Sequence, residues 1–370
     1  MGGGPVTLFL CGDVMLGRGV DQILPHPGDP ALREDYVQDA RAYVELAEAA
    51  NGPVPRPVDF SWPWGDALQV LDEAAPAARV VNLETSVTRH DTFAPGRYIH
   101  YRMNPANLPC LAAARPDVCA LANNHVLDFG HRGLEETLDA LAGVGLRTAG
   151  AGRNADAARR PAIVPVEGDR RVLVLSFGMT SSGIPQHWAA TGERGGVHFV
   201  ARTSEAAATE TARRVRQVKR PGDVVVASVH WGSNWGYLVS RDQVAFAHAL
   251  IDSGVDVVHG HSSHHPRPLE AYRGKLILYG CGDFIDDYEG ITGYEQYRDD
   301  LRPMYLVSVE PDTGRLADVR ITPLQARQMR LRHASHEDTR WLRALLDRIG
   351  RGFHPSADCD PKGTFVLRPS

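Results

Sequence analysis

The chain has 370 residues, of which 43% are apolar and 23% charged, and its formal net charge is −5. That balance suits a globular protein with a sizeable core, and the lack of a basic block removes the electrostatic footprint of a nucleic-acid binder. Apolar runs are only strand-length, so none crosses a bilayer as a helix, and five scattered cysteines (Cys11, Cys110, Cys119, Cys281, Cys359) without a Cys-x-x-Cys pair argue against a disulfide framework and a thiolate zinc site.

In chain order, Met1-Gly2-Gly3-Gly4-Pro5 lacks a basic n-region and runs straight into a strand, so a cytoplasmic location without membrane contact is expected. Three short apolar runs each end in polar residues: Val6 to Cys11 before Gly12-Asp13, Arg79 to Asn82 before Leu83-Glu84, and Val118 to Ala122 before Asn123-Asn124-His125. Such runs are the pattern of strands covered on both faces. Between them, residues 25–66 are Pro-rich and predict a helix from Ala31 to Ala50; they read as an insertion, either a lid over the site or a decorated surface loop. Helices are predicted over Asn104 to Ala114 and Arg132 to Ala142. The second half repeats the theme, with strands over Arg171 to Phe177, Asp223 to His230, Asp256 to Gly260 and Lys275 to Tyr279, and helices over Ser204 to Lys219 and Arg241 to Asp252. This alternation predicts an α/β protein with mostly parallel sheets. Met304 to Glu310 and Leu316 to Thr322, split by Asp312-Thr313-Gly314, predict an antiparallel hairpin. Residues 1–325 therefore read as one domain, and 326–370 as a helical appendage with a helix over Glu337 to Ile349 and a strand over Thr364 to Leu367.

The chemistry lies at the strand ends. Loops at the carboxyl ends of parallel strands are where open α/β sheets bind ligands. Here those ends offer Asp13, Glu84, Asn124 with His125, His230, and the run His259-Gly260-His261-Ser262-Ser263-His264-His265. Oxygen and imidazole donors converging in this way suit a divalent cation. Taken singly, Gly12-Asp13 is equally a turn and Glu84 equally a capping carboxylate.

Six motifs then occur in order: Gly12-Asp13-Val14-Met15-Leu16-Gly17-Arg18, Asn82-Leu83-Glu84, Ala122-Asn123-Asn124-His125 with Asp128 and Gly130, His230-Trp231-Gly232, Gly260-His261 with His264, and Gly282-Asp283-Phe284. Together, over about residues 6–325, the series resembles the CapA family, the poly-γ-glutamate capsule branch of the calcineurin-like metallophosphoesterases. The resemblance implies a metallophosphoesterase-like α/β/β/α four-layer sandwich that holds one or two divalent metal ions (Mn, Zn, Fe, Mg or Ca). It implies Glu84 as the bridging carboxylate, Asp13 and His264 on the first metal, and Asn124, His230 and His261 on the second. His125 matches the histidine that donates a proton beside the substrate. The chain also departs from the pattern. Met15 stands where calcineurin-like phosphatases carry the histidine of Asp-x-His, Glu84 replaces an Asp, two residues separate His261 from His264, Asn234 replaces a Glu and Asp283 an Asn.

These departures direct the first expectation away from hydrolysis. It is a metal-dependent acid/base enzyme on a peptide substrate, of the kind represented in this family by lasso-peptide epimerases, which invert a Cα. His125, with His265 or Asp283 as its opposite number, would move the proton, and Trp231, Trp235 and Tyr237 would either wall the site or pack as core. The alternative expectation is hydrolysis of a phosphoester or a poly-γ-glutamate-type amide. A non-catalytic protein with a vestigial metal site is the third.

Overall fold

The computed structural model describes residues 4–353, the backbone of 358–359, and 363–367. The first sheet is built on β1 (Val6–Val14), β2 (Ala78–Leu83), β3 (Val118–Ala120) and β4 (Arg147–Ala149), four parallel strands in that spatial order. The second sheet is built on β5 (Arg170–Met179), β6 (Val224–His230), β7 (Val257–His261) and β8 (Lys275–Leu278), again parallel and in order. The hairpin β9 (Leu301–Glu310) and β10 (Arg315–Ala326) extends the first sheet antiparallel to β1, as its turn residues predict.

Side-chain alternation assembles these sheets into layers. Leu8, Leu10, Val80 and Val118 of the first sheet meet Val172, Val174, Val224, Val226 and Val257 of the second in one buried cluster between the sheets. Their neighbours Phe9, Cys11, Val81 and Cys119 face the other way, against Leu71, Leu108, Leu111, Leu134 and Leu141 from helices. On the second sheet Val225, Ala227, Val229 and Val258 pack outward against Phe246, Ala247 and Leu250 of helix Arg241–Asp252 and Val215 of helix Glu205–Val218. The result is the α/β/β/α sandwich of the metallophosphoesterase fold.

Two predicted helices are shorter than their apolar spacing suggests. Instead of running from Ala31 to Ala50, the helix in the insertion spans only Arg41–Asn51. Asp39 accepts the backbone N–H of Arg41 at 2.9 Å, while Ala31 bridges Asp39 in an extended excursion that Pro27 and Pro30 lead into. An Asp side chain that captures a nearby amide competes with helix in this way. The stretch Asn104 to Ala114 divides into a 3-10 turn, Pro105–Asn107, and a helix, Leu108–Ala113, with Pro109 in its first turn where a missing N–H does no harm. After β10, helix His336–Ile349 sends Leu342, Leu345 and Leu346 into the cluster between the sheets, and strand Phe365–Leu367 pairs with β10. Among the described residues no helix is long and apolar enough to cross a membrane.

Register places the site. Asp13 lies opposite Asn82 on β2 and opposite Asp283 on the short parallel strand Asp283–Ile285, while His230 lies opposite His261. Gly12 is required where β1 passes that short strand: a Cβ there would sit 1.7 Å from the carbonyl oxygen of Gly282, the oxygen that accepts the amide of Asp13 at 3.0 Å.

Candidate metal centre

Asp13 is the hub of the buried donors. Its carboxylate falls within ligand range of His230 and His261 on one side and of His264 and Asp283 on the other, forming two three-residue groups that could each hold an ion. Glu84 lies alongside, because the Asn82 amide donates to Asp13 at 2.7 Å and to Glu84 at 3.1 Å. The other Glu84 oxygen is 3.6 Å from His230 Nε2 and 3.8 Å from His125 Nε2. Asn124 joins through its side-chain oxygen, 2.7 Å from His230 Nε2. The six residues of the ligand set are thus brought together, but the carboxylate common to both groups is Asp13, with Glu84 beside it.

The donor chemistry fits a cation. His230 Nδ1 and His261 Nδ1 approach to 2.7 Å in the core, two nitrogens that a cation could draw on together. Burial, then the neighbouring charge of Asp283, pushes the Asp13 carboxyl up to about 7. Glu84 is raised well above the usual range by burial and by the same two carboxylates. Burial drives His230 and His261 well below the ordinary imidazole value, so both rings keep the lone pairs that ligation needs. Three carboxylates and neutral imidazoles confined together form a site that positive charge relieves.

Supporting residues orient these ligands, as outer-shell partners of metal sites do. Ser228 Oγ stands 2.9 Å from His261 Nε2 and 3.2 Å from His259 Nδ1, whose opposite nitrogen donates to the Cys11 carbonyl at 2.7 Å. His259 therefore braces the centre from behind. Asp283 is 2.9 Å from His264 Nδ1 and 3.2 Å from a guanidinium nitrogen of Arg302, which also pairs with Asp286 at 2.8 Å. Burial pulls the His264 imidazole down, but the charge of Asp283 and its hydrogen bond outweigh that and raise it. Met15, at the position of the missing histidine, is buried and offers the centre no strong donor. Asp283 is the third residue of the group that Asp13 and His264 form.

A cleft of about 250 Å³ opens on this centre, lined by Glu84, Asn124, His125, Ser262, His264 and Tyr288 and rimmed by residues 96–99. His125 Nδ1 donates to Asp128 at 2.6 Å, and Asp128 also accepts the Tyr101 amide at 2.8 Å. That bond leaves Nε2 as the free nitrogen on the cleft side. Burial, then the Arg97 charge, holds His125 well below the ordinary imidazole value. Arg97 ties the rim loop to the centre: it donates to the carbonyls of Asn124 and Gly183 and stands 3.6 Å from Asp128.

The structure does not bring His265 into the cleft. Its ring stacks on Tyr297 at 4.6 Å and meets Tyr237 edge-on at 4.7 Å, and its Nδ1 bonds the Pro266 carbonyl. Trp231 is core, with its indole N–H on the Tyr279 carbonyl at 3.0 Å, whereas Trp235 lies over His264 and stacks on Tyr294 at 3.9 Å. Sequence reasoning missed Asn82, Arg97, Arg302 and Tyr288 as parts of the site. Asn82 sits in a motif beside Glu84 and was within reach of it; Arg302 and Tyr288 carry no local signal.

A metallophosphoesterase-type sandwich with clustered carboxylates and imidazoles at its strand ends defines the class. Residues 7–288 match the family described as bacterial capsule synthesis protein PGA_cap, and the chain belongs to that family. It is 54% identical over 356 residues to a probable polyglutamine synthesis accessory protein of Mycobacterium tuberculosis, covering 95% of this chain and 94% of the relative. It is 27% identical over 322 residues to the PGA biosynthesis protein CapA of Bacillus subtilis, covering 85% and 70%. A solved structure from Mycoplasma pneumoniae, described as a novel phosphatase, superposes with a TM-score of 0.47 at 11% identity, over 88% of this chain and 95% of that one.

Proposed function

We propose that this chain is a metal-dependent hydrolase that cleaves amide bonds in a polymer of glutamate or glutamine residues. The observation that carries the reading is a cleft, lined by Glu84, Asn124, His264 and His125 with its free Nε2, that opens on two buried donor groups sharing Asp13. The altered first motif had put Cα epimerisation first. Asp283 weakens that ground, because it offers a carboxylate donor in the group that lacks the Asp-x-His imidazole, and the relatives' names concern polyglutamine and PGA synthesis, which favours the hydrolytic alternative.

Held by Asp13, Glu84, Asn124, His230, His261, His264 and Asp283, divalent cations would supply Lewis acidity, polarising an acyl oxygen and making water more acidic. The chain's own residues do the rest. His125 Nε2 takes the proton of the attacking water and passes it to the departing amine nitrogen. Asp128 holds the ring in the tautomer that leaves Nε2 free, and Arg97 keeps the rim loop docked on the Asn124 backbone.

Substrate class is the test. Metal-loaded protein is expected to shorten γ-linked glutamate or glutamine oligomers in a chromatographic assay and to leave p-nitrophenyl phosphate essentially unreacted. Rapid release of p-nitrophenol with intact oligomers would replace the amide reading by a phosphoesterase one.

A further inference from the structure

Tyr288, which lines the cleft, and Tyr101, buried behind it, form an arch that the proton-transfer scheme does not use. The Tyr101 ring meets His125 edge-on at 4.6 Å, and the Tyr288 ring meets His264 edge-on at 5.1 Å. Their hydroxyls join at 3.1 Å, Tyr101 donating to Tyr288. The phenolic oxygen of Tyr288 is thus an acceptor in the arch, and its own proton is left to donate elsewhere. Tyr288 lines the cleft that contains His125, Asn124 and His264.

A buried cation supports the arch. The Arg18 guanidinium carbon lies 3.9 Å from the Tyr43 ring centroid, 4.3 Å from that of Tyr101 and 5.8 Å from that of Tyr288. Asp287, the residue before Tyr288, receives two guanidinium nitrogens of Arg18 and the amide of Gly19, while Glu34 of the insertion takes a third guanidinium contact at 2.9 Å. Arg18 holds a backbone conformation of φ 48° and ψ −123°, which L-residues avoid. Such strain persists where surrounding structure over-determines it, and it gathers at functional sites. Asp287 and Glu34 offset the Arg18 charge, so the cluster's part is to fix the two rings in place.

We infer that Tyr288 is a further catalytic residue, donating its hydroxyl proton in a hydrogen bond to the oxyanion that develops on the substrate, with Tyr101 and Arg18 as its positioning residues. The inference rests on the hydrolytic reading for its substrate. No bond to Tyr288 forms or breaks: the phenol stays protonated, and the hydrogen bond is stronger to the tetrahedral oxyanion than to the planar amide oxygen, so its value appears in kcat.

Manganese-loaded wild type, Tyr288→Phe and Tyr101→Phe decide the matter through two readouts. On a γ-linked glutamate oligomer, Tyr288→Phe is expected to lower kcat about 100-fold with KM within a few-fold, the usual scale for one oxyanion donor; Tyr101→Phe should lower it less. Independently of that substrate, calorimetric titration with inorganic phosphate, a tetrahedral oxyanion, should show affinity falling about tenfold in Tyr288→Phe, the loss of one hydrogen bond. Manganese content and melting temperature should not change. Wild-type phosphate affinity in Tyr288→Phe, or an unchanged kcat, would overturn the role. If wild type leaves the oligomer intact, the hydrolytic reading falls by itself and the phosphate titration still decides whether Tyr288 binds an oxyanion.

Discussion

His125→Ala is expected to lower kcat by about 10²–10⁴-fold, the range for loss of a positioned acid/base group, with metal content unchanged. The expectation follows from the geometry of one ring. Nδ1 is engaged by Asp128 at 2.6 Å, so Nε2 is the nitrogen left to move a proton in the cleft, and it stands 3.8 Å from Glu84. Because Asp128 also accepts the Tyr101 amide, removal of the imidazole leaves that carboxylate partly satisfied and the loop in place. Asp128→Asn should cause a smaller loss than His125→Ala: the ring remains, but an amide can turn its NH₂ toward Nδ1 and reverse the preferred tautomer. Steady-state kinetics on the γ-linked oligomer, together with metal analysis of each variant, checks both. An unchanged kcat in His125→Ala would assign the proton to another group.

The second large effect is on the metal itself. His230→Ala and His261→Ala are each expected to lose bound metal and nearly all activity while staying folded, since each removes one donor from the group completed by Asp13. The pH dependence of binding has a definite sign. A carboxyl pushed up to about 7, as burial and Asp283 do to Asp13, is still protonated in the metal-free fold at pH values where the unfolded chain has released that proton. Metal-free protein therefore loses stability from Asp13 as pH rises from the unfolded value toward about 7. A bound cation displaces this proton and that of the similarly raised Glu84, so affinity for manganese should rise with pH, by at least about tenfold per unit below 7. Titrations of metal-stripped protein at pH 6, 7 and 8 measure this directly. Equal affinity at all three values, or full metal content in both alanine variants, would place the metal elsewhere.

The layered fold was legible because each core strand is a continuous apolar run whose alternate residues serve two different packing layers. Val224 to His230 is the clearest case: Val224 and Val226 enter the core between the sheets, while Val225, Ala227 and Val229 face the outer helices. The donors were legible for the same reason, since each polar residue stands where such a run stops. What the chain does not display locally is who meets whom. Asp283 read as an acid/base candidate, yet parallel pairing sets it opposite Asp13, with His264 2.9 Å away, and that pairing spans 270 residues of sequence. Arg302 lies just before the strand read over Met304 to Glu310, and only β9, which begins at Leu301 and packs beside the centre, reveals its contact with Asp283. His265, expected as an opposite number to His125, directly follows His264, but adjacent side chains diverge, and its ring packs in the aromatic cluster of Tyr237 and Tyr297. The helix over Ala31 to Ala50 was overextended because apolar spacing outweighed a short side chain, Asp39, that captures the amide of Arg41 and starts the helix late.

The most direct measurement follows atoms. Manganese-loaded protein is incubated with a γ-linked glutamate oligomer in deuterium oxide enriched in oxygen-18, and the products are analysed by mass spectrometry after back-exchange of labile hydrogens. Hydrolysis predicts shorter chains, one oxygen-18 in the carboxyl group released at each cut, and no deuterium on any Cα. Intact oligomers that gain one mass unit of carbon-bound deuterium per inverted residue, with no oxygen-18 incorporated, would contradict the account and restore epimerisation.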